Sequence, residues 1–191
     1  MTCALLGYAL GLGVIGVVNG WRVRHSGAKP FPFLRSDPGT AHGFIEKVLV
    51  AEFAVIGLYL LLSPLPDRRV VGSSWPDLAA LVLLGTSFLL VAASILWMGP
   101  SWRIGIDQEP QAIVMSGPYR FIRHPIYTGM LLGVTAVWLA LPNLVVSAWA
   151  AVAWVVVQIQ ARLEEEFLTA NAPGYGDYAK RAGRFVPKIR S

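Results

Sequence analysis

The chain has 191 residues, of which 55% are hydrophobic and only 14% charged, and its mean hydropathy is +0.56. Soluble domains carry about 25% charged residues, and a water-soluble fold of this composition would be left with large exposed apolar patches, so an all-α, polytopic membrane protein is expected. One cysteine, Cys3, excludes an internal disulfide and a cysteine-based metal cluster, and the three histidines (His25, His42, His124) lack ligand spacing; no metal is expected.

Apolar runs at residues 3–19, 44–63, 77–98, 126–141 and 144–161 predict five transmembrane helices, since a crossing takes about 20 apolar residues. They form a single integral membrane domain over 1–191, with three helices in 1–98 and a loop, a helical hairpin and a tail in 99–191. No Lys or Arg precedes the first run, whereas a cleavable signal has a positive n-region; it reads as a retained helix. That run spells GxGxxG through Gly11, Gly13 and Gly16. A dinucleotide fingerprint must follow a strand and open a helix. Inside an apolar helix these residues read instead as packing glycines, and Gly7/Gly11, Gly16/Gly20 and Gly129/Gly133 are GxxxG pairs.

Residues 20–43 read as an irregular loop containing Pro30, Pro32 and Pro38. Glu52 falls inside the second span, where an ionisable group is either functional or a paired structural carboxyl. Of the 16 Lys and Arg residues, all but Arg68 and Arg69 fall in segments that five spans place on one side. The positive-inside rule makes that side cytosolic. The N-terminus is then outside and the C-terminus in the cytosol, as in a protein of a bacterial inner membrane. The last two runs are short and divided by Leu141-Pro142-Asn143, a turn signal; they read as a hairpin, tilted or thinning the bilayer locally.

Chemistry concentrates at two places. Residues 102–127 form a polar, basic and aromatic segment between spans. Gly117-Pro118 reads as a turn, and Pro125 suits the first position of a helix because its missing N–H would be unpaired there anyway. His124 then lies near the N-cap, where free N–H groups and the positive dipole end attract a carboxylate or phosphate. His124 and Tyr127 share a helix face. An interface anchor meeting headgroups accounts for the same residue types. The second place is Glu164-Glu165-Glu166, just past the fifth run. Carboxylates at a helix C-terminus oppose the dipole, and that misfit favours a ligand role. Beyond them, Gly174-Tyr175-Gly176-Asp177-Tyr178 and Gly183-Arg184-Phe185-Val186-Pro187 predict a short amphipathic helix closing over the site.

Taken together, the Gly-Pro-Tyr turn, the Arg123-His124-Pro125-x-Tyr127 block, Glu164-Glu165-x-x-Leu168, the Tyr175/Tyr178 pair and the terminal Arg-Phe-Val-Pro resemble the isoprenylcysteine carboxyl methyltransferase family and its phospholipid methyltransferase relatives. The likeness covers about the last 90 residues. It implies a cytosol-facing S-adenosyl-L-methionine pocket formed by the loop before the hairpin, the hairpin and the tail. Tyr119, His124, Pro125, Ile126 and Tyr127 would contact the cofactor, and Gln111 and Val114 would line its adenine side. Glu164 would bind its polar groups, with Glu165 nearby. A lipophilic or prenylated acceptor would arrive laterally from the bilayer lipids. Family members that methylate prenylcysteine carry an arginine four residues before the first glutamate. Here Gln160 stands there, and the nearest arginine, Arg162, is about 200° further round a helix.

The implied reaction is an in-line displacement at a sulfonium. A carboxylate acceptor, with a pKa near 4, is already ionised and needs no base; the protein must align the partners and remove water. Arg123 and Arg162 are the candidate catalytic residues, because a guanidinium grips a carboxylate through a planar, charge-assisted fork. An amine or thiol acceptor would have to lose a proton, to His124 or Glu165. Two alternatives remain open at this point. One is an NADPH-dependent membrane reductase of the steroid and sterol type, which has a similar C-terminal region. The other is a non-enzymatic membrane scaffold. Nucleic acid is not an expected partner, since the basic residues are split among short loops, and the oligomeric state is left open.

Overall fold

The computed structural model describes residues 39–62, 75–99 and 113–188, with isolated positions between 13 and 25. Gly13, Gly16 and Val17 of the first expected span are helical; the rest of that span, and Gln111, lie outside the described residues. The described chain forms helices α1 (Ala41–Leu62), α2 (Trp75–Met98), α3 (Pro125–Ala140), α4 (Leu144–Asn171) and α5 (Tyr175–Arg181), with a 3-10 turn at Gly117–Arg120. Among the described residues there is no strand, and one parallel bridge pairs Ile122 with Gly183.

Helices α2 and α4, of 24 and 28 residues, are long and apolar enough to cross a membrane, and α3 is a shorter apolar helix. The 16 residues of α3 span about 24 Å, less than the ~30 Å hydrocarbon core. The 22-residue α1 has the length to cross, but Glu46, Lys47 and Glu52 interrupt its apolar run. Large apolar side chains stand exposed at Leu78, Val82, Leu89 and Leu96 on α2, and at Val145, Val152, Val155 and Ile159 on α4. Such faces suit lipid rather than water.

The hairpin turn forms where expected. Asn143 caps α4, its side chain accepting from the Val146 N–H at 3.0 Å. Helix α1 then packs on the hairpin: Ile56 meets Val137 and Val146, and Phe53 lies edge-on to Trp149, beside Val134 and Ala153. One acceptor and one donor stay unsatisfied in this layer, for Glu52 Oε2 and Trp149 Nε1 are buried without a partner among the described residues. Helix α3 lies tightly against α2. A Cβ on Gly129 would come within 2.4 Å of Val91 Cγ2 and 3.2 Å of the Ser87 carbonyl. The Ser87 hydroxyl donates to the Gly129 carbonyl at 2.6 Å. The expected role of the Gly129/Gly133 pair, close helix approach, is met at Gly129.

Helix α4 departs from expectation in length. It continues past the apolar run that ends at Ala161, through the three glutamates and on to Asn171. Glu164 and Glu165 therefore lie in the helix body, and the argument that they oppose a C-terminal dipole does not hold. Glu is a strong helix former, so a change from apolar to charged sequence marks where α4 leaves the apolar layer and not where it stops.

Candidate active site

Four segments meet at the start of α3. The Gly117–Arg120 turn lies over the end of α2: the Trp97 indole donates to Ser116 Oγ at 2.9 Å, and Gly117, at φ +59°, faces the Trp97 ring at 2.4 Å from any added Cβ. Both the left-handed backbone and the contact require glycine. His124 is the N-cap of α3 and Pro125 its first residue, as the sequence predicts. The imidazole stacks on Tyr127 with centroids 5.4 Å apart and planes 15° from parallel, so the shared face is realised.

The tail is tied to this point by backbone. Arg123 and His124 donate their N–H groups to the Gly183 and Arg184 carbonyls at 2.7 and 3.1 Å, and Gly183 donates back to Phe121 at 3.1 Å. Thr128 Oγ1 lies 2.9 Å from the Phe185 carbonyl and 3.0 Å from that of His124. Helix α5 adds Tyr175 and Tyr178, both buried and packed with Ala182 on Leu168 and Ile113. The Tyr178 hydroxyl donates to the Tyr119 carbonyl at 2.6 Å. The expected amphipathic tail helix thus exists and covers the loop.

Glu165 is the centre of the arrangement. Its carboxylate accepts from Arg123 Nε at 3.0 Å, from Arg184 Nε at 3.0 Å and Nη2 at 2.5 Å, and lies 3.1 Å from His124 Nε2. Burial by itself would raise the Glu165 carboxyl, but the hydrogen bonds from His124, Arg184 and Arg123 outweigh it and hold the group well below the usual carboxylate range. This site stands a full turn beyond Ala161, outside the apolar run. The Arg184 guanidinium is pushed up chiefly by its bond to Glu165. Arg123 is also committed elsewhere: Nη1 donates to the Ala179 and Ala182 carbonyls, both at 2.7 Å, at the end of α5. It satisfies carbonyls that a helix end leaves unpaired, and Glu165 neutralises it.

Glu164 is placed differently. It is about one-third exposed, with His124 Nδ1 3.6 Å away. The Tyr119 and Tyr175 hydroxyls are buried without a partner among the described residues, and so is Gln160 Oε1. Burial pushes both phenols up; the Glu164 charge raises Tyr119 further, and the Glu165 charge, ahead of that of Glu164, raises Tyr175. Burial likewise pushes Tyr178 up to about 12. Gln160 lies one turn from Glu164 on the same face of α4. Buried polar atoms are normally paired, so three unpaired atoms on the elements that meet around Glu164 and Glu165 suit a polar ligand.

The other expected site residues fall as follows. Pro125 is buried, and Val114, Ile126 and Tyr127 are half-buried around the start of α3. Arg162 is exposed. Arg184 was not singled out by sequence reasoning, although it opens the Arg-Phe-Val-Pro string; its pairing with Glu165 is separated by 19 residues and carries no local signal.

The family description Phospholipid methyltransferase matches residues 76–175, which contain α2, the turn, α3 and α4. The chain belongs to this family. Membership supports a membrane-associated methyltransferase. The chain is also similar to the cobalt-zinc-cadmium resistance protein CzcN of Cupriavidus metallidurans, at 29% identity over 76% of this chain and 67% of that protein. It resembles the nickel-cobalt-cadmium resistance protein NccN of Alcaligenes xylosoxydans xylosoxydans at 27% identity, over 80% of this chain and 70% of that one.

Proposed function

We propose that the protein is an S-adenosylmethionine-dependent methyltransferase acting on a membrane-partitioned acceptor. The observation that carries this reading is the set of unpaired buried atoms on the elements that meet around Glu164 and Glu165, namely the Tyr119 and Tyr175 hydroxyls and Gln160 Oε1. Family members generally use S-adenosylmethionine, and the residues fit it. When bound, it supplies an electrophilic methyl group on a sulfonium. Glu164 offers a carboxylate to the amino group, and the two tyrosines offer hydroxyls that accept or donate. The stacked His124–Tyr127 pair gives a flat, half-apolar wall.

Arg123 and Glu165 act as positioning residues in this reading, because their hydrogen-bonding atoms are engaged with each other and with the tail. Because α4 runs unbroken to Asn171, Arg162 stays exposed about 200° round from Gln160 and Glu164 and does not take the place of the family arginine. The finer proposal, which rests on the family resemblance alone, is O-methylation of a prenylcysteine-type carboxylate arriving from the lipid. Five spans with the C-terminus in the cytosol of a bacterial inner membrane would put the tail and α3 start where a water-soluble cofactor reaches them.

The relatives' names speak of resistance to cobalt, zinc, cadmium and nickel. We read those names as a physiological setting for a methyl transfer. Calorimetry on detergent-purified protein with S-adenosylhomocysteine and NADPH decides between the enzyme classes. S-adenosylhomocysteine should bind, and Glu164→Ala and Tyr127→Ala should each abolish that binding with folded yield unchanged. Silence at millimolar concentration ends the methyltransferase reading; normal binding by both variants moves the pocket elsewhere.

A further inference from the structure

Beside the tail lies an open hollow of about 460 Å³, lined by Met115, Arg120, Phe121, Tyr178, Arg181, Pro187 and Lys188. Three of these seven side chains are cationic and none is acidic. Asp177, the acid closest to Arg181 in sequence, is paired with Lys180 at 2.9 Å. Arg181 Nε donates to the Asp177 main-chain carbonyl at 3.2 Å and Lys188 Nζ to the Lys180 carbonyl at 2.8 Å, but among the described residues none of the three cations is ion-paired with a carboxylate at this hollow. Like charges are therefore gathered there, which costs free energy unless an anion is drawn in. The volume lies within the range of small-ligand sites.

The rim identifies the kind of anion. Phe121 is 56% exposed, Met115 39% and nearby Val186 70%, so apolar groups stand beside the cations. The Arg120 guanidinium lies 5.7 Å over the Phe121 ring. This hollow sits directly before the first residue of α3 and next to the turn that rests on Trp97 at the end of α2. Where apolar helices begin and end, with a half-exposed Trp, is the headgroup layer of a bilayer. A soluble phosphate would have no use for the apolar rim, whereas a glycerophospholipid presents a phosphate and a glycerol–acyl shoulder together.

We propose that this cavity binds the headgroup phosphate of an anionic phospholipid, with Arg120, Arg181 and Lys188 on the phosphate and Phe121 against the glycerol shoulder. The lipid then acts as a fixed component of the tail. Because the tail also closes the Glu165 centre, bilayer composition is coupled to the order of the site. The proposal is independent of which methyl acceptor is used.

The test uses the full chain in a neutral detergent, with short-chain phosphatidylglycerol, short-chain phosphatidylcholine and inorganic phosphate as probes. Binding is read by native mass spectrometry and by the shift in Tm. Phosphatidylglycerol should bind and raise Tm. R120Q/R181Q/K188Q should weaken it about 100-fold, on the order of fivefold per cation at a membrane surface. Its unliganded Tm should stay within about 2 °C, since exposed substitutions change stability little. Phe121→Ala should weaken phosphatidylglycerol while leaving inorganic phosphate as weak as before. Equal binding of phosphatidylcholine overturns the proposal, as does equal binding of inorganic phosphate. So does undiminished phosphatidylglycerol binding by either variant, and a triple variant that fails to fold leaves Phe121→Ala to decide.

Discussion

The contact of α2 with α3 and the junction of α3 with the tail lie next to each other and are held by opposite means. The first is a helix pair brought close by a missing side chain at Gly129 and one hydroxyl-to-carbonyl bond from Ser87. The second is a partly buried ionic cluster in which one carboxylate serves two arginines and a histidine. Between apolar helices in lipid there is little hydrophobic drive to associate, so close van der Waals fit decides. At the edge of that layer charges can be arranged and then enclosed. The difference teaches that the scaffold tolerates changes of side-chain size poorly and the junction tolerates changes of charge poorly.

Three experiments would break or sharpen that contrast. The largest effect is expected from Glu165→Gln. It strands two guanidiniums, and breaking a buried ion pair costs about 3–5 kcal/mol; thermal unfolding should show a fall in Tm, with loss of donor-analogue binding. The same carboxyl predicts a pH dependence. Its folded pKa is depressed, so its stabilisation is fully present above the ordinary glutamate pKa of about 4.3 and fades as pH falls below it. Tm should drop on acidification in the wild type, and the drop should be smaller in Glu165→Gln.

Next comes Gly129→Leu, which drives a side chain into Val91 and the α2 backbone; overpacking costs about 1–3 kcal/mol. If its Tm matched the wild type, the close α2–α3 fit would be refuted. The smallest effect separates two neighbours in α5. Tyr178→Phe removes a buried bond to the Tyr119 carbonyl and should cost about 1 kcal/mol. Tyr175→Phe removes a hydroxyl with no partner among the described residues; stability should stay within about 0.5 kcal/mol while affinity for S-adenosylhomocysteine falls. An equal loss of stability in both variants would place the Tyr175 hydroxyl in the scaffold.

Local chemistry made part of this legible in advance. Pro125 at the first turn, His124 before it and Asn143 at the hairpin cap act within a few residues of themselves, and each lies where its type predicts. The close fit at Gly129 was likewise readable from spacing. The length of α4 was not, because charged residues that continue a helix look like those that end one. Nor does sequence say which of three consecutive carboxylates turns inward. Successive residues are 100° apart on a helix, and packing leaves Glu165 enclosed, Glu164 partly open and Glu166 exposed. The pairing of Arg184 with that carboxylate depends on α5 folding back, which no local signal states.

One consequence concerns the order of assembly. Arg123 bonds the carbonyls of Ala179 and Ala182, 56 and 59 residues further along the chain. Everything between, including the whole α3–α4 hairpin, must be synthesised before those carbonyls exist. The bonds from Arg123 to the tail are thus made only after the hairpin they close over has been synthesised. The enclosure of Glu165 is therefore a late product of the fold, completed by the tail and not by the hairpin alone.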